Sequence, residues 1–86
     1  MSRADDIRKE ILLQLYAVRP LALSAERLAR DARKNDYDYS ATEIARELVF
    51  LADTGLLVAV ASPATTARYH RITAAGVTHY EQNYAA

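Results

Sequence analysis

Two clusters of basic residues are the places where this chain could do chemistry. Arg27, Arg30, Arg33 and Lys34 fall close together, and Arg68, His70 and Arg71 form a second group further on. Guanidinium groups gathered in this way either meet phosphate oxygens or keep an exposed helix and strand in solvent. Covalent chemistry has no such foothold. There is no cysteine, which removes thiolate nucleophiles, thiolate metal sites and disulfides together. The two histidines, His70 and His79, have no carboxylates at ligand spacing, so no metal site is expected. The serine, aspartate and histidine residues form no nucleophile constellation, and neither an enzymatic activity nor a cofactor is expected.

The charge balance limits what the basic clusters can mean. Eleven basic residues meet eleven acidic ones, so no global positive field would draw the chain to a polyanion. Any such contact has to come from a local patch. The segment from Glu26 to Lys34 carries a net +2, whereas Asp36 to Asp53 holds five acids and only Arg46 as a base, a net −4. With 86 residues, 51% apolar and 26% charged, the chain has the composition of an ordinary soluble protein, and residues 1–86 are expected to form a single domain. No apolar run approaches the length of a membrane span, and the first ten residues lack the apolar core of a signal peptide. A cytoplasmic location without membrane contact is the expectation.

The elements that must position these residues follow from capping and periodicity. Ile7, Ile11, Leu15 and Val18, widened by Leu12 and Tyr16, make one apolar stripe and predict a helix from about Ala4 to Arg19. Ser2 and Asp5 offer its N-terminal cap, and Pro20 stops it. A two- or three-residue strand fits "PLALS". Ser24 then caps a second helix that turns Ala25, Leu28, Ala29 and Ala32 inward and the basic residues mostly outward, with Asn35 as its left-handed stop. Ser40 and Glu43 make a capping box for a third helix, over about 40–54, with Ile44, Leu48 and Leu51 inward and Gly55 as its C-terminal stop. "LLVAVAS" (56–62) and "RYHRIT" (68–73) read as two antiparallel strands around the loop "PATTA", with Leu57, Ala59 and Ile72 on the apolar face. Thr73 caps a last helix that runs to about Tyr84. The expected fold is mainly α with a small antiparallel β-hairpin, in the order helix, strand, helix, helix, strand, strand, helix.

Two stretches resemble known proteins. "TEIARELVFLADTGLLVAV" is similar to the pattern in which a recognition helix ends "L-x-x-L-x-x-x-G-L-V", carried here by Leu48, Leu51, Gly55, Leu56 and Leu57. "RYHRITAAG" is similar to the "Y-x-(I/L)-T-x-x-G" that closes a wing, carried by Ile72, Thr73 and Gly76. In this order and separation they resemble the winged helix-turn-helix domains of the MarR, PadR and ArsR regulators, over residues 24 to 84.

The resemblance implies a transcriptional regulator that puts the 40–54 helix in the major groove of double-stranded DNA and uses the 56–73 hairpin as a wing. By position, the base-reading residues would be Thr42, Glu43 and Arg46, with Glu47 beside them. The wing would contribute Thr65, Thr66, Arg68 and Arg71, and the second helix Arg27 and Arg30. Glu43 and Glu47 depart from those families, which usually carry Ser, Thr, His, Arg or Lys there, and His70 stands where they often keep a tyrosine. The alternative reading is a winged helix that binds another protein through the acidic 36–53 face, without DNA. Those families commonly pair through terminal helices, which implies a homodimer with Tyr16, Val77, Tyr80 and Tyr84 at its seam. Tyrosine suits such a place, being apolar in its body and polar at its tip.

Overall fold

Each helix begins at the residue whose side chain can hold its first amides. Ser2 accepts from the Asp5 N–H and opens α1 (Arg3–Val18). Ser24 accepts from the Arg27 N–H and opens α2 (Ala25–Arg33). Ser40 and Glu43 form the reciprocal capping box of α3 (Ala41–Asp53), and Thr73 caps α4 (Ala74–Asn83). Each cap satisfies a backbone donor that has no partner inside its helix. Three short strands complete the order α1-β1-α2-α3-β2-β3-α4: β1 (Leu23–Ser24), β2 (Leu57–Val60) and β3 (Tyr69–Ile72). This computed structural model describes residues 2–61, 64 and 67–85. The architecture is the expected one, mostly helical with a small antiparallel sheet. Among the described residues no helix is long and apolar enough to cross a membrane.

The sheet is larger than a hairpin. Its strand order is β1-β3-β2, so β3 lies in the centre and pairs antiparallel with both neighbours. A lone two-stranded ribbon is marginal in water; here Leu23 pairs with His70 and Ser24 with Tyr69, which covers one edge of β3. The alternation of the strand sends His70 and Ile72 to the helices, and both are buried. Tyr69 and Arg71 take the other face, opposite Val60 and Val58. Ala59, expected to face inward, is exposed although it pairs with the buried His70. β2 is an edge strand of the sheet, and the short alanine side chain there remains open to solvent. His70 has no hydrogen-bond partner for Nδ1 among the described residues. Burial, followed by the charge of Arg68, pushes it below its ordinary value.

The core joins all the helices to the sheet. Ile7, Ile11, Leu12 and Leu15 of α1, Leu28 and Ala32 of α2, Ile44, Leu48 and Leu51 of α3, and Leu57 and Ile72 of the sheet form one buried cluster. Val77, Tyr80 and Tyr84 of α4 pack on its margin. The end of α2 differs from expectation by one residue. Asp36, not Asn35, takes the left-handed conformation (φ 65°), and the Tyr37 N–H returns to the Ala32 carbonyl. Aspartate tolerates this region better than most residues do, because its short side chain can bond locally.

The end of α3, the start of β2 and the start of α4 meet at one junction. Gly55 follows the C-cap residue Thr54 with φ 83°. Its N–H reaches the Ala52 carbonyl, while the Leu56 N–H reaches that of Leu51, the paired bonds of a Schellman stop. The Thr73 hydroxyl donates to the Gly55 carbonyl at 2.7 Å and accepts from the Gly76 N–H at 3.0 Å. The Thr73 N–H donates to the Leu56 carbonyl. Gly76 then lies flat against that strand: a Cβ there would collide with the Leu56 carbonyl oxygen and with Ile72 Cγ1. The two glycines are needed for different reasons. Around Gly55 there is open space, so Gly55→Ala meets only the left-handed backbone penalty, about 1–2 kcal/mol. Gly76→Ala forces α4 off the sheet and is expected to cost more, at least about 2 kcal/mol by urea unfolding. A Gly76→Ala protein within about half a kcal/mol of the parent would refute this packing.

Candidate nucleic-acid interface

Two of the three acids of α3 are paired with arginines of α1. Glu43 sits at the start of the helix and takes a two-pronged contact from Arg3, with Nε at 2.7 Å from Oε1 and Nη2 at 3.1 Å from Oε2. Its second oxygen also accepts from the Ser40 N–H at 3.0 Å. One turn later Glu47 is buried, and its Oε1 accepts from Arg8 Nε at 2.7 Å. The Arg8 guanidinium lies 3.7 Å from the centre of the Phe50 ring and also reaches Asp5 at 3.4 Å. Both pairs tie α3 to α1. Placing Glu47 among base-reading residues is therefore corrected: its carboxylate points into the protein. Glu43, assigned by position to the same role, has both oxygens committed to Arg3 and Ser40. The periodicity carried a signal for this, because 43 and 47 flank the inward stripe of Ile44, Leu48 and Leu51.

With Glu47 buried and Glu43 held at the rim, other residues make up the outward face of α3. Thr42, Ala45, Arg46, Val49, Phe50 and Asp53 are exposed, with Val49 55% and Phe50 43% accessible. Arg46 stands in the middle of this stripe. Asp36 and Asp38 lie before the helix and Asp53 at its last residue, so the net −4 of the segment is a property of its ends and of its inner side.

The other basic residues divide into held and unheld groups. Asp31 gathers the α2 cations, with Arg27 Nε at 3.0 Å, Lys34 Nζ at 3.4 Å and Arg30 Nε at 3.9 Å. Burial works against the Asp31 charge, but the bonds from Arg27 and Lys34 outweigh it and hold the carboxyl below its ordinary range. Arg33, Arg46, Arg68 and Arg71 are exposed, and none of the four is ion-paired among the described residues. Arg71 projects from the outer face of the sheet opposite Val58. Thr65 and Thr66, the remaining wing candidates, lie outside the described residues.

The four residues expected at a dimer seam come together inside a single chain. The Tyr16 and Tyr80 rings stack with centroids 4.5 Å apart, and Tyr80 lies 5.8 Å from Tyr84. The Tyr16 hydroxyl donates to Glu81 at 2.7 Å. With Val77 partly buried beside them, these contacts fasten α4 to α1. Arg3 and Arg8, which carry the electrostatics of α3, had no place in the sequence-based site, since their partners lie 40 and 39 positions away.

Comparison with known protein families, curated proteins and solved structures finds no match.

The Glu43 contact is testable by pH. The Arg3 hydrogen bonds, followed by the Ser40 N–H, hold its carboxyl well below the ordinary 4.5, at about 2. A depressed folded-state value means that the unfolded chain binds the proton more readily. The stabilisation is therefore complete above 4.5 and is lost as pH falls toward about 2. Glu43→Gln is expected to flatten the pH dependence of the thermal midpoint across that window. An unchanged slope would mean that Arg3 does not hold Glu43 in solution.

Proposed function

We propose that this chain is a winged-helix DNA-binding regulator, with the outward stripe of α3 in the major groove and the β2–β3 hairpin on flanking phosphate. The observation that supports this reading most is the pairing of Glu43 with Arg3 and of the buried Glu47 with Arg8. A guanidinium meets each carboxylate and offsets a charge that phosphate would repel, and Thr42 and Arg46 stand exposed on the stripe. Arg46 has the donor fork that suits guanine O6 and N7, and Val49 is an apolar group of the kind that packs against a thymine methyl. Arg68 and Arg71 on the hairpin, with Arg30 and Arg33 on α2, supply the cations for backbone contact. Glu43 acts as a cap and an anchor in this scheme, not as a reader.

Salt dependence tests it. Each phosphate contact releases counterions, so log affinity falls with log salt with a slope near −0.9 per contact. Replacing Arg68 and Arg71 together by Gln is expected to flatten the slope by about two units per protomer and to weaken all sequences alike. Arg46→Ala is expected instead to relax preference at one base pair, by about 1–3 kcal/mol. Failure to bind duplex DNA even at low salt would end this reading.

A second reading has its own observation. Val49 and Phe50 are large, apolar and exposed side by side on α3, as they would be on a protein-binding surface. Under that reading Val49→Asp releases a bound protein while duplex DNA shows no salt-dependent affinity.

Pairing of two copies through α1 and α4 belongs to the regulator proposal, since a homodimer would address two half-sites. Sedimentation at high micromolar concentration is expected to give twice the 9.6 kDa chain mass. A single-chain mass there would remove the homodimer and leave one binding surface per molecule.

A further inference from the structure

A cleft between α1 and the segment joining α2 to α3 holds two acids that no cation of the chain meets. It has a volume of about 310 Å³ and is lined by Asp6, Lys9, Glu10 and Leu13 of α1 and by Tyr37 and Tyr39. Neither Asp6 nor Glu10 is ion-paired among the described residues. Lys9 reaches neither acid, and its ammonium lies 5.7 Å from the centre of the Tyr84 ring on the α4 side. Glu10 and Tyr39 are each only 6% exposed. Glu10 Oε2 accepts from the Gln14 amide at 2.8 Å, while Oε1 and the Tyr39 hydroxyl have no hydrogen-bond partner among the described residues. Neither of these two oxygens is among the fully enclosed atoms without a partner, so both keep accessible surface where their residues line the cleft. Burial raises the Tyr39 hydroxyl above its ordinary value, and the charges of Asp6 and Glu10 raise it further against Arg3. The carboxylates therefore stand close to the phenol oxygen.

The fold has its own way of holding a carboxylate beside a ring. Glu43 is met by the Arg3 guanidinium, which also lies 5.1 Å from the centre of the Tyr39 ring. Glu47 is met by Arg8, whose guanidinium lies 3.7 Å from the centre of the Phe50 ring. Glu10 has the ring, since Tyr37 stacks parallel on Tyr39 at 5.4 Å and remains 45% exposed. From the chain it receives only a neutral amide. With two carboxylates and Lys9 the lining carries a net −1, which repels an anion, and a neutral donor leaves the Glu10 charge uncompensated. A metal ion is disfavoured, because no group of three metal-ligating side chains stands together among the described residues. That leaves an organic cation. Ammonium is a strongly hydrated point charge, whereas guanidinium is flat, weakly hydrated and suited to a carboxylate and an aromatic face at once. The volume lies at the lower end of the roughly 300–1,000 Å³ of ligand pockets and admits that group with a short alkyl stem.

We propose that this cleft is a binding site for an alkylguanidinium, with its donors directed at Glu10 Oε1, the Asp6 carboxylate and the Tyr39 hydroxyl, its plane against Tyr37 and its stem along Leu13. A free small molecule and an arginine side chain carry the same group. The site stands on α1 and residues 37–39 and does not depend on the DNA reading.

Butylguanidinium is a suitable probe, and butylurea is its neutral near-isostere. Each is titrated into the isotope-labelled full chain and followed by NMR. Butylguanidinium is expected to saturate below denaturing concentrations, with shifts centred on the Leu13 methyls and the Tyr37 and Tyr39 rings. Butylurea is expected to bind about tenfold more weakly, the difference between a charged and a neutral donor on a carboxylate. N-acetylarginine amide separates the two sources: tighter binding than butylguanidinium assigns the site to an arginine side chain, and weaker binding assigns it to a free small molecule. Asp6 is exposed, and its carboxylate makes no hydrogen bond among the described residues. Asp6→Asn should therefore weaken binding about tenfold while the thermal midpoint stays in place. Glu10→Gln keeps an acceptor for the Gln14 amide and is expected to weaken binding at least as much. No saturable shifts would overturn the site, and so would shifts centred elsewhere. Equal affinity for butylurea would overturn recognition of charge. Unchanged binding in both variants would place the guanidinium outside this cleft.

Discussion

The close approach of Gly76 to the Leu56 carbonyl is the constraint on which the rest of the fold depends. Thr73 holds it from both sides, with its hydroxyl on the Gly55 carbonyl and its backbone N–H on that of Leu56. Four elements end or begin within reach of these atoms: α3 stops, β2 starts, β3 stops and α4 starts. A side chain at position 76 would displace α4 from the sheet. The Tyr16–Tyr80 stack, which fastens α4 to α1, would then have to be made at another distance. The "I-T-x-x-G" spacing thus expresses a packing requirement: a cap hydroxyl and, three residues on, a backbone with no side chain.

Electrostatics in this chain is organised by helix packing. Glu43 and Glu47 lie one turn apart, and α1 meets them with Arg3 and Arg8 at matching heights. A buried carboxylate such as Glu47 is tolerable only with a charged, well-directed donor that replaces the hydration it has lost. Arg8 meets this need with Nε on the carboxylate and its planar face over Phe50. The arrangement also sets what α3 shows to solvent. Two of its three acids are paired with α1, and the exposed stripe holds Arg46 and the terminal Asp53 among small and apolar side chains. Asp31 does the same for α2 on a more exposed scale, drawing three cations toward one carboxylate.

Buried polarity is the third theme. Glu10 and Gln14 interrupt the inward stripe of α1 one turn apart, joined by a hydrogen bond and anchored on the Leu28 carbonyl of α2. His70 does something similar beneath the sheet, where it replaces an apolar residue between Leu23 and Ala59. Both leave a buried atom without a hydrogen-bond partner among the described residues.

What the sequence by itself determined was whatever depends on residues a few positions apart. The Ser24, Ser40 and Thr73 caps, the inward stripes and the Gly55 stop are local, and each was legible because a hydroxyl, a period or a missing Cβ acts within one or two turns. The same locality explains the small error at the end of α2, where Asn35 and Asp36 are both able to take the left-handed position and only the Tyr37–Ala32 bond selects between them. The tertiary structure decided everything that needs a distant partner. The pairing of β1 with β3, the ion pairs of Glu43 and Glu47 with Arg3 and Arg8, the burial of Gln14 and the stacking of Tyr16 on Tyr80 join residues far apart in the chain. A charge count along a segment cannot say which acids reach solvent, since residues two positions apart on a helix lie on nearly opposite faces while those three or four apart share one. Only packing assigns those faces, because only there does an arginine from another helix arrive to meet the carboxylate.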